Sequence, residues 1–247
     1  LAKNRIFRSI QQACERVSSA IFYKFYAGLR SRILTDPKIR DLAVLEFHKL
    51  YYYSLDRTWN NTYWMNVPLL KCPLDVWVYQ EMIVELKPDV IIECGTARGS
   101  SALFMAHICD MAGKGKIITI DIKHEDNRPQ HKRVTYLTGS SIAPEIVEQA
   151  KAAIGKNDKV MIFLDSDHTM AHVLSELRIY NSLVSKGSYL IVEDSNVNGH
   201  PVEPSHGPGP MEAVKEFLKE NKDFVIDKER EKFFLTFNPN GYLKKVA

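Results

Sequence analysis

Asp165 follows the apolar run Lys-Val-Met-Ile-Phe-Leu (159–164), and Glu193 and Asp194 follow Gly-Ser-Tyr-Leu-Ile-Val (187–192). Each run is apolar without alternation and bounded by polar residues, which predicts a short strand buried on both faces of a parallel sheet. A carboxylate at the C-terminal end of such a strand points into the crevice where open α/β sheets bind ligands. If the two strands are neighbours, three acidic groups converge on one small volume, which repels itself unless a cation or a proton sits there. Oxygen ligands favour Mg²⁺ or Ca²⁺ over zinc, so a divalent metal held by Asp165, Glu193 and Asp194 is the first expectation. Plainer roles compete with it. Asp165 could cap the following helix, although Asp167 and Thr169 are better placed to do so, and Glu193 and Asp194 could be a solvated strand end. His168 and His172, four residues apart, could pair on zinc, but no third nitrogen or sulfur ligand lies near them in the sequence.

A second constellation precedes this one. Glu93-Cys94-Gly95-Thr96-Ala97-Arg98-Gly99 follows an apolar run and opens the helical stretch that begins at Ser100. Glycine permits a tight turn and close backbone approach to a ligand, and a helix N-terminus offers free N–H groups. The spacing G-x-x-x-G is neither the G-x-G-x-x-G of dinucleotide binders nor a phosphate-cradling loop ending in Gly-Lys-Ser/Thr. Asp121, at the end of the next apolar run, stands where a ribose-binding carboxylate is expected.

Around these residues, strand-like and helix-like segments alternate from Pro88 onward. Strands are predicted at 89–94, 116–120, 134–137, 159–164 and 187–192, and helices at 100–111, 144–154, 171–184 and 210–220. Two β segments follow, at 224–227 and 232–237, joined by too few residues for a parallel crossover, so one must run antiparallel. This order predicts an α/β fold, a Rossmann-like, doubly wound, mostly parallel seven-stranded sheet with one antiparallel strand. The boundary is expected at residue 85/86, with a helical and aromatic-rich segment over 1–85 and the sheet domain over 86–247. Trp59, Tyr63, Trp64 and Trp77 in that first segment serve either as core or as the lining of a substrate pocket. The Pro/Gly-rich stretch 196–209 reads as a loop and a potential lid, with His206 a candidate substrate contact.

The chain has 247 residues, 45% hydrophobic and 26% charged, with a net charge of +3. That is a soluble globular composition, too weakly basic for nucleic acid to be the main partner. The charge is uneven: residues 1–40 carry a net +7 and surround Ile21-Phe22-Tyr23-Lys24-Phe25-Tyr26. Such a helix could lie on an anionic membrane surface; the reading preferred is a solvated helix that packs on the main domain or on a second subunit, and a homo-oligomer is expected. No apolar run is long enough to span a bilayer, and the first residues lack a signal-peptide pattern because Arg and Gln interrupt them. Cys14, Cys72, Cys94 and Cys109 show no C-x-x-C spacing, which predicts reduced thiols and a cytoplasmic protein.

The arrangement E-x-G-x-x-x-G followed by a strand-terminal Asp resembles class I S-adenosylmethionine-dependent methyltransferases. With Trp64-Met65-Asn66-Val67-Pro68, Pro73-Leu74-Asp75-Val76-Trp77, Leu164-Asp165-Ser166-Asp167-His168 and Val192-Glu193-Asp194 added, the stretch from about Trp59 to about Phe237 resembles the cephalosporin hydroxylase and rhamnosyl O-methyltransferase family. Asn66 departs from the glycine expected there, which touches only the local turn. The resemblance implies a cofactor site drawn from Glu93, Gly95, Thr96, Gly99, Ser100, Asp121, Ser140, Ser141 and Asp165. Asp121 would meet the ribose hydroxyls, and Ser140 and Ser141 would border the adenine. It also implies Mg²⁺ on Asp165, Glu193 and Asp194. The implied activity is methyl transfer to a hydroxyl of a sugar or glycosylated natural product. A sugar hydroxyl is a poor nucleophile, so its pKa must be lowered and its oxygen aligned with the methyl group. Asp165 and His168 are the candidate bases. The competing function is a cofactor-binding accessory subunit of an oxygenase system, with no methyl transfer of its own.

Overall fold

The computed structural model describes residues 2–54 and 58–247, with side chains from residue 19 onward. Cys14 therefore lies outside the described side chains; Cys72, Cys94 and Cys109 are free and buried. The chain forms two compact units, Leu1–His48 and Lys49–Ala247. Residues 49–54 and 58–85 thus fold with the sheet, whereas the pattern of the sequence puts the boundary at 85/86. The reason is that the helix over 73–86 is not a separate layer but one face of the sheet's own core.

The first unit holds α1 (Ala2–Thr35) and the start of α2 (Pro37–Tyr53). Asp36 separates them: its Oδ1 accepts the Lys38 backbone N–H at 3.0 Å, an N-cap with proline at the first helical position. Phe22 and Phe25 on α1 are each 71% exposed. Among the described residues, no helix is long and apolar enough to cross a membrane.

The second unit opens with a two-stranded hairpin, β1 (Tyr63–Trp64) and β2 (Val67–Pro68), turned by Met65 and Asn66 at positive φ. Then come α3 (Pro73–Leu86), β3 (Val90–Cys94), α4 (Ser100–Met111), β4 (Lys116–Asp121), β5 (Val134–Thr138), α5 (Pro144–Ala152) and β6 (Val160–Leu164). They are followed by α6 (Met170–Tyr180), β7 (Tyr189–Val192), α7 (Pro210–Glu220), β8 (Phe224–Ile226) and β9 (Tyr242–Lys245). The seven-stranded sheet runs β5-β4-β3-β6-β7-β9-β8. Its first five strands are mutually parallel, and β9 is antiparallel to both β7 and β8. This is the doubly wound, mostly parallel sheet with one antiparallel strand that the alternating pattern predicts.

The final strand was expected at 232–237 and lies at 242–245. Lys-Phe-Phe-Leu-Thr-Phe alternates like a strand, but Leu235 and Phe237 pack against Cys72, Tyr51, Tyr52 and Trp59. The Phe237 N–H goes to the Asp75 carboxylate at 2.8 Å, not to a neighbouring strand.

Both faces of the sheet are covered, which explains the unbroken apolar runs. Successive residues point to opposite sides. Ile92, Ile118, Ile162 and Leu190 face α5, α6 and α7, while Ile91, Ile117, Met161 and Ile191 face α3 and α4. The winding reverses between β3 and β6, and a crevice opens at the carboxyl ends of the strands around that switch point.

Candidate active site

The crevice is a cavity of about 590 Å³ lined by the loops that leave four adjacent strands. β3 contributes Gly95, β4 contributes Asp121, β5 contributes Gly139, Ser140 and Ser141, and β6 contributes Asp165. Gly95 has φ +100°, and a Cβ there would lie 1.8 Å from the Asp165 carbonyl oxygen. Only glycine lets the β3 loop pass so close to the end of β6. The Asp165 N–H in turn donates to the Cys94 carbonyl at 2.7 Å, so loop and acid are fixed to each other through backbone.

Asp121 is held by the glycine loop. Its Oδ2 accepts the backbone N–H groups of Thr96 at 3.1 Å and Ala97 at 2.9 Å, and its Oδ1 accepts that of Lys123 at 2.9 Å. Four other residues of the expected cofactor set stand behind this wall and do not line the cavity. Glu93 is fully buried and accepts the Thr119 hydroxyl at 2.6 Å. Thr96 hydrogen-bonds Thr119 at 2.6 Å, and Ser100 donates to the Pro68 carbonyl at 2.6 Å. Gly99 turns the chain into α4 at φ +76°, where a Cβ would meet the Tyr136 hydroxyl at 2.9 Å. These four shape the loop rather than face the cavity. Burial pushes the Glu93 carboxyl up to about 7, against the pull of Lys71.

On the opposite wall, Ser141 donates to Glu176 at 2.5 Å and Ser166 donates to the same oxygen at 2.7 Å. His172 lines the cavity beside them, with Nε2 3.1 Å from the Ser141 hydroxyl and 3.4 Å from Glu176. The Glu176 carboxylate raises His172 above the ordinary histidine range despite its partial burial. The helical spacing 172/176 places both on one face of α6.

The acidic cluster lies at the ends of β6 and β7, which are neighbours as expected. Side-chain ligand atoms of Asp165, His168 and Asp194 lie within 4.8 Å of one another. His168 Nε2 is 3.5 Å from Asp194 Oδ2 and 4.0 Å from Asp165 Oδ1. Asp194 sits at φ +51°, its N–H held by Asn238 Oδ1 at 3.1 Å. Glu193 stands outside that group of three. Its Oε2 takes the Lys71 ammonium at 2.5 Å, and the same ammonium reaches Asp165 Oδ2 at 2.6 Å. The positive charge that three converging acids demand is thus supplied in part by a lysine. Burial works against the Lys71 charge, but the attraction of Asp165, Glu193 and Glu93 outweighs it and raises the ammonium above its usual range.

Lys71 has no signal in the sequence. It lies 94 residues before Asp165 in no recognisable spacing, and its only mark is a cation between Leu69-Leu70 and Cys72-Pro73. Asp75, also unassigned as a site residue, ties α3 to the end of the chain. It accepts Thr236 Oγ1 at 2.5 Å, the Phe237 N–H and the Tyr242 hydroxyl at 2.9 Å. The aromatics divide: Tyr52 stacks on Trp59, Trp64 packs edge-on against Phe104, and Trp77 is exposed on α3. None of them lines the main cavity. The 196–209 stretch is pinned rather than free: Val202 is fully buried and the Glu203 N–H reaches the Tyr53 hydroxyl at 2.5 Å. His206 is exposed on it.

The donor set fits what the resemblance implies. A hard cation finds carboxylate oxygens at Asp165 and Asp194, and Glu193 Oε1 is a buried acceptor with no hydrogen-bond partner among the described residues. A ligand with vicinal hydroxyls finds a carboxylate at Asp121, and a planar ring finds the cavity between Ser140, Ser141 and His172.

Comparison with known proteins points the same way. The family model for rhamnosyl O-methyltransferase/CmcI matches residues 56–246. A rhamnosyl O-methyltransferase of Mycobacterium leprae (strain TN) is 42% identical over 211 residues, covering 82% of this chain and 90% of that protein. A rhamnosyl O-methyltransferase of Mycobacterium tuberculosis (strain ATCC 25618 / H37Rv) is 42% identical over 212 residues, covering 82% of this chain and 85% of that protein. Among solved structures, the apo form of CmcI-N160 superposes with a TM-score of 0.60 at 20% identity, covering 76% of this chain and 77% of that one. CmcI-D160 with Mg and SAM gives 0.58 at 19% identity, covering 76% of this chain and 78% of that one. At those identities the structural likeness speaks to the fold.

Proposed function

The chain belongs to the rhamnosyl O-methyltransferase/CmcI family and is an S-adenosylmethionine-dependent O-methyltransferase, and from that premise we propose that it methylates a hydroxyl of a rhamnosyl-like sugar in a Mg²⁺-dependent reaction. The observation that carries this reading is the convergence of His168 and Asp194 on Asp165, which lines the cavity together with Gly95, Asp121, Ser140 and Ser141. The cofactor-binding likeness of CmcI and the rhamnosyl substrate named for the mycobacterial relatives support it.

S-adenosylmethionine, when bound, supplies an electrophilic methyl group, and Mg²⁺ a charge that stabilises the acceptor oxygen in its ionised form. Asp165 and Asp194 would hold the cation, with Glu193 turning toward it from Lys71. Asp121 would take the ribose hydroxyls, and Ser140 and Ser141 would border the adenine. His168 Nε2 receives the acceptor's proton, and the flanking carboxylates of Asp194 and Asp165 stabilise the imidazolium that forms. Transfer would form an oxygen–carbon bond on the acceptor as the donor's carbon–sulfur bond breaks, the electron pair of that bond staying on sulfur. Lys71, buried between Asp165 and Glu193, would hold both carboxylates until Glu193 turns to the cation, and would stay paired with Asp165.

The test couples binding to turnover. Calorimetry should show S-adenosylmethionine binding to the purified chain, and methyl transfer to a rhamnosyl acceptor should stop on addition of EDTA and return with Mg²⁺. Asp165→Ala should abolish transfer and still bind cofactor. Binding without transfer to any glycosidic hydroxyl would favour the accessory-subunit reading instead.

A further inference from the structure

Arg128 lies between β4 and β5, in the charged stretch His-Glu-Asp-Asn-Arg-Pro (124–129). Its side chain is only 3% exposed and lines the main cavity. The Nε–H donates to the Ala97 carbonyl at 3.0 Å, and Nη2 stands 3.3 Å from Asp121 Oδ2. Tyr136 holds the turn from below: its ring centroid is 5.8 Å from the guanidinium carbon, and its hydroxyl donates to the Pro129 carbonyl at 2.7 Å.

The contacts close a ring. Ala97, at φ +44°, gives its N–H to Asp121 and its carbonyl to Arg128, and Arg128 returns to Asp121 as a charge neighbour. Oδ2 of Asp121 therefore faces three positive or partly positive groups, which fixes the rotation of the carboxylate. Nη2 itself is buried and makes no well-formed hydrogen bond among the described residues; its nearest acceptor is Asp121 Oδ2, at 3.3 Å. A buried guanidinium nitrogen so weakly paired is costly unless a ligand completes it, and the Arg128 side chain lines the cavity together with Asp121 and Glu125.

We propose that Arg128 is a specificity residue for the methyl donor. It orients Asp121 and offers an Nη2–H to an oxygen of the ribose, so that a carboxylate acceptor and a guanidinium donor together recognise the vicinal diol. Each ribose hydroxyl both donates and accepts, and the Asp121–Arg128 pair supplies the complement to both. The inference rests on the methyltransferase reading, since it assigns the ribose to Asp121.

Calorimetry with S-adenosylhomocysteine and with its 2′,3′-dideoxy analogue tests it. The wild-type chain should prefer S-adenosylhomocysteine, and Arg128→Met should weaken that ligand about 10- to 100-fold, the range for a hydrogen bond to a charged group. The dideoxy analogue should weaken less than about threefold, so the discrimination collapses. Arg128→Lys keeps the charge and loses the fork; it should recover only part of the preference, and it carries the same comparison if the Met variant does not fold. Equal losses for both ligands would reduce Arg128 to a general support of the loop and overturn the proposal, as would no loss for either. If the wild-type chain binds neither ligand, the methyltransferase reading falls first, a result distinct from preserved binding with unchanged discrimination.

Discussion

The Lys71 ammonium stands 2.5 Å from Glu193 and 2.6 Å from Asp165, so one buried cation joins the carboxylates that end two adjacent strands. Removing one partner of a buried pair leaves the other charge uncompensated, which costs about 3–5 kcal/mol. Lys71→Met should therefore lower the melting temperature by roughly 10 °C. Adding Glu193→Gln to that variant should restore part of the loss, because the orphaned acid is gone. Additive losses in the double variant would mean that the pair is not coupled.

Gly95 and Gly187 provide a paired test of the cofactor loop. Both have positive φ, but a Cβ at Gly187 meets nothing within 4 Å, whereas at Gly95 it meets the Asp165 backbone at 1.8 and 2.5 Å. Gly187→Ala should cost about 1 kcal/mol from backbone strain alone. Gly95→Ala should cost clearly more and abolish S-adenosylhomocysteine binding, as read by urea unfolding and calorimetry. Equal costs would mean that the loop can retreat from β6.

Glu93 makes stability depend on pH. Its carboxyl is raised from 4.5 to about 7 in the folded chain, by burial above all. The folded state thus holds this proton more tightly than the unfolded one. The contribution is fully present below pH 4.5 and is lost as pH rises through 7, a change on the order of 3 kcal/mol. Glu93→Gln should flatten that part of the profile, compared by urea midpoints at pH 5 and pH 8. An unchanged profile would assign the pH dependence to other groups.

His168 lies between Asp165 and Asp194 and outside the cavity lining. His168→Gln should lower kcat by about 10²- to 10⁴-fold, as for loss of a general base. Its affinity for S-adenosylhomocysteine should stay within about threefold of wild type. A variant that turns over normally would move the proton to Asp165.

Patterns local to a strand or helix were legible in the sequence. The strand ends at Cys94, Asp121, Leu164 and Val192 follow from short apolar runs stopped by polar residues, and α4 and α7 begin and end where their patterns do. The convergence of Asp165 with Asp194 followed from adjacency of two strands. The roles of Lys71, Arg128, Asp75 and Glu176 were not legible, because each acts through a partner distant in sequence and carries no spacing. Glu93 and Thr96 belong to the expected cofactor loop but do not line the cavity. Their position in a cofactor loop suggested contact with the cavity, yet strand alternation turns Glu93 into the α4 side of the sheet, and Thr119 captures both side chains.

β9 follows β8 in the chain but lies between β7 and β8 in the sheet. During synthesis from the N-terminus, β8 is therefore made before the strand it pairs with exists. The stretch that delivers β9 also brings Thr236, Phe237 and Tyr242 to Asp75, and Asn238 to the backbone of Asp194. Until Asn238 and Gly241 have emerged, Asp194 lacks the side chain that holds its N–H, and Val192 lacks the carbonyl to which it donates. A ribosome-bound chain halted short of that point would contain every candidate ligand without the contacts that seat Asp75 and Asp194, so the fold completes this site only with the stretch that carries β9.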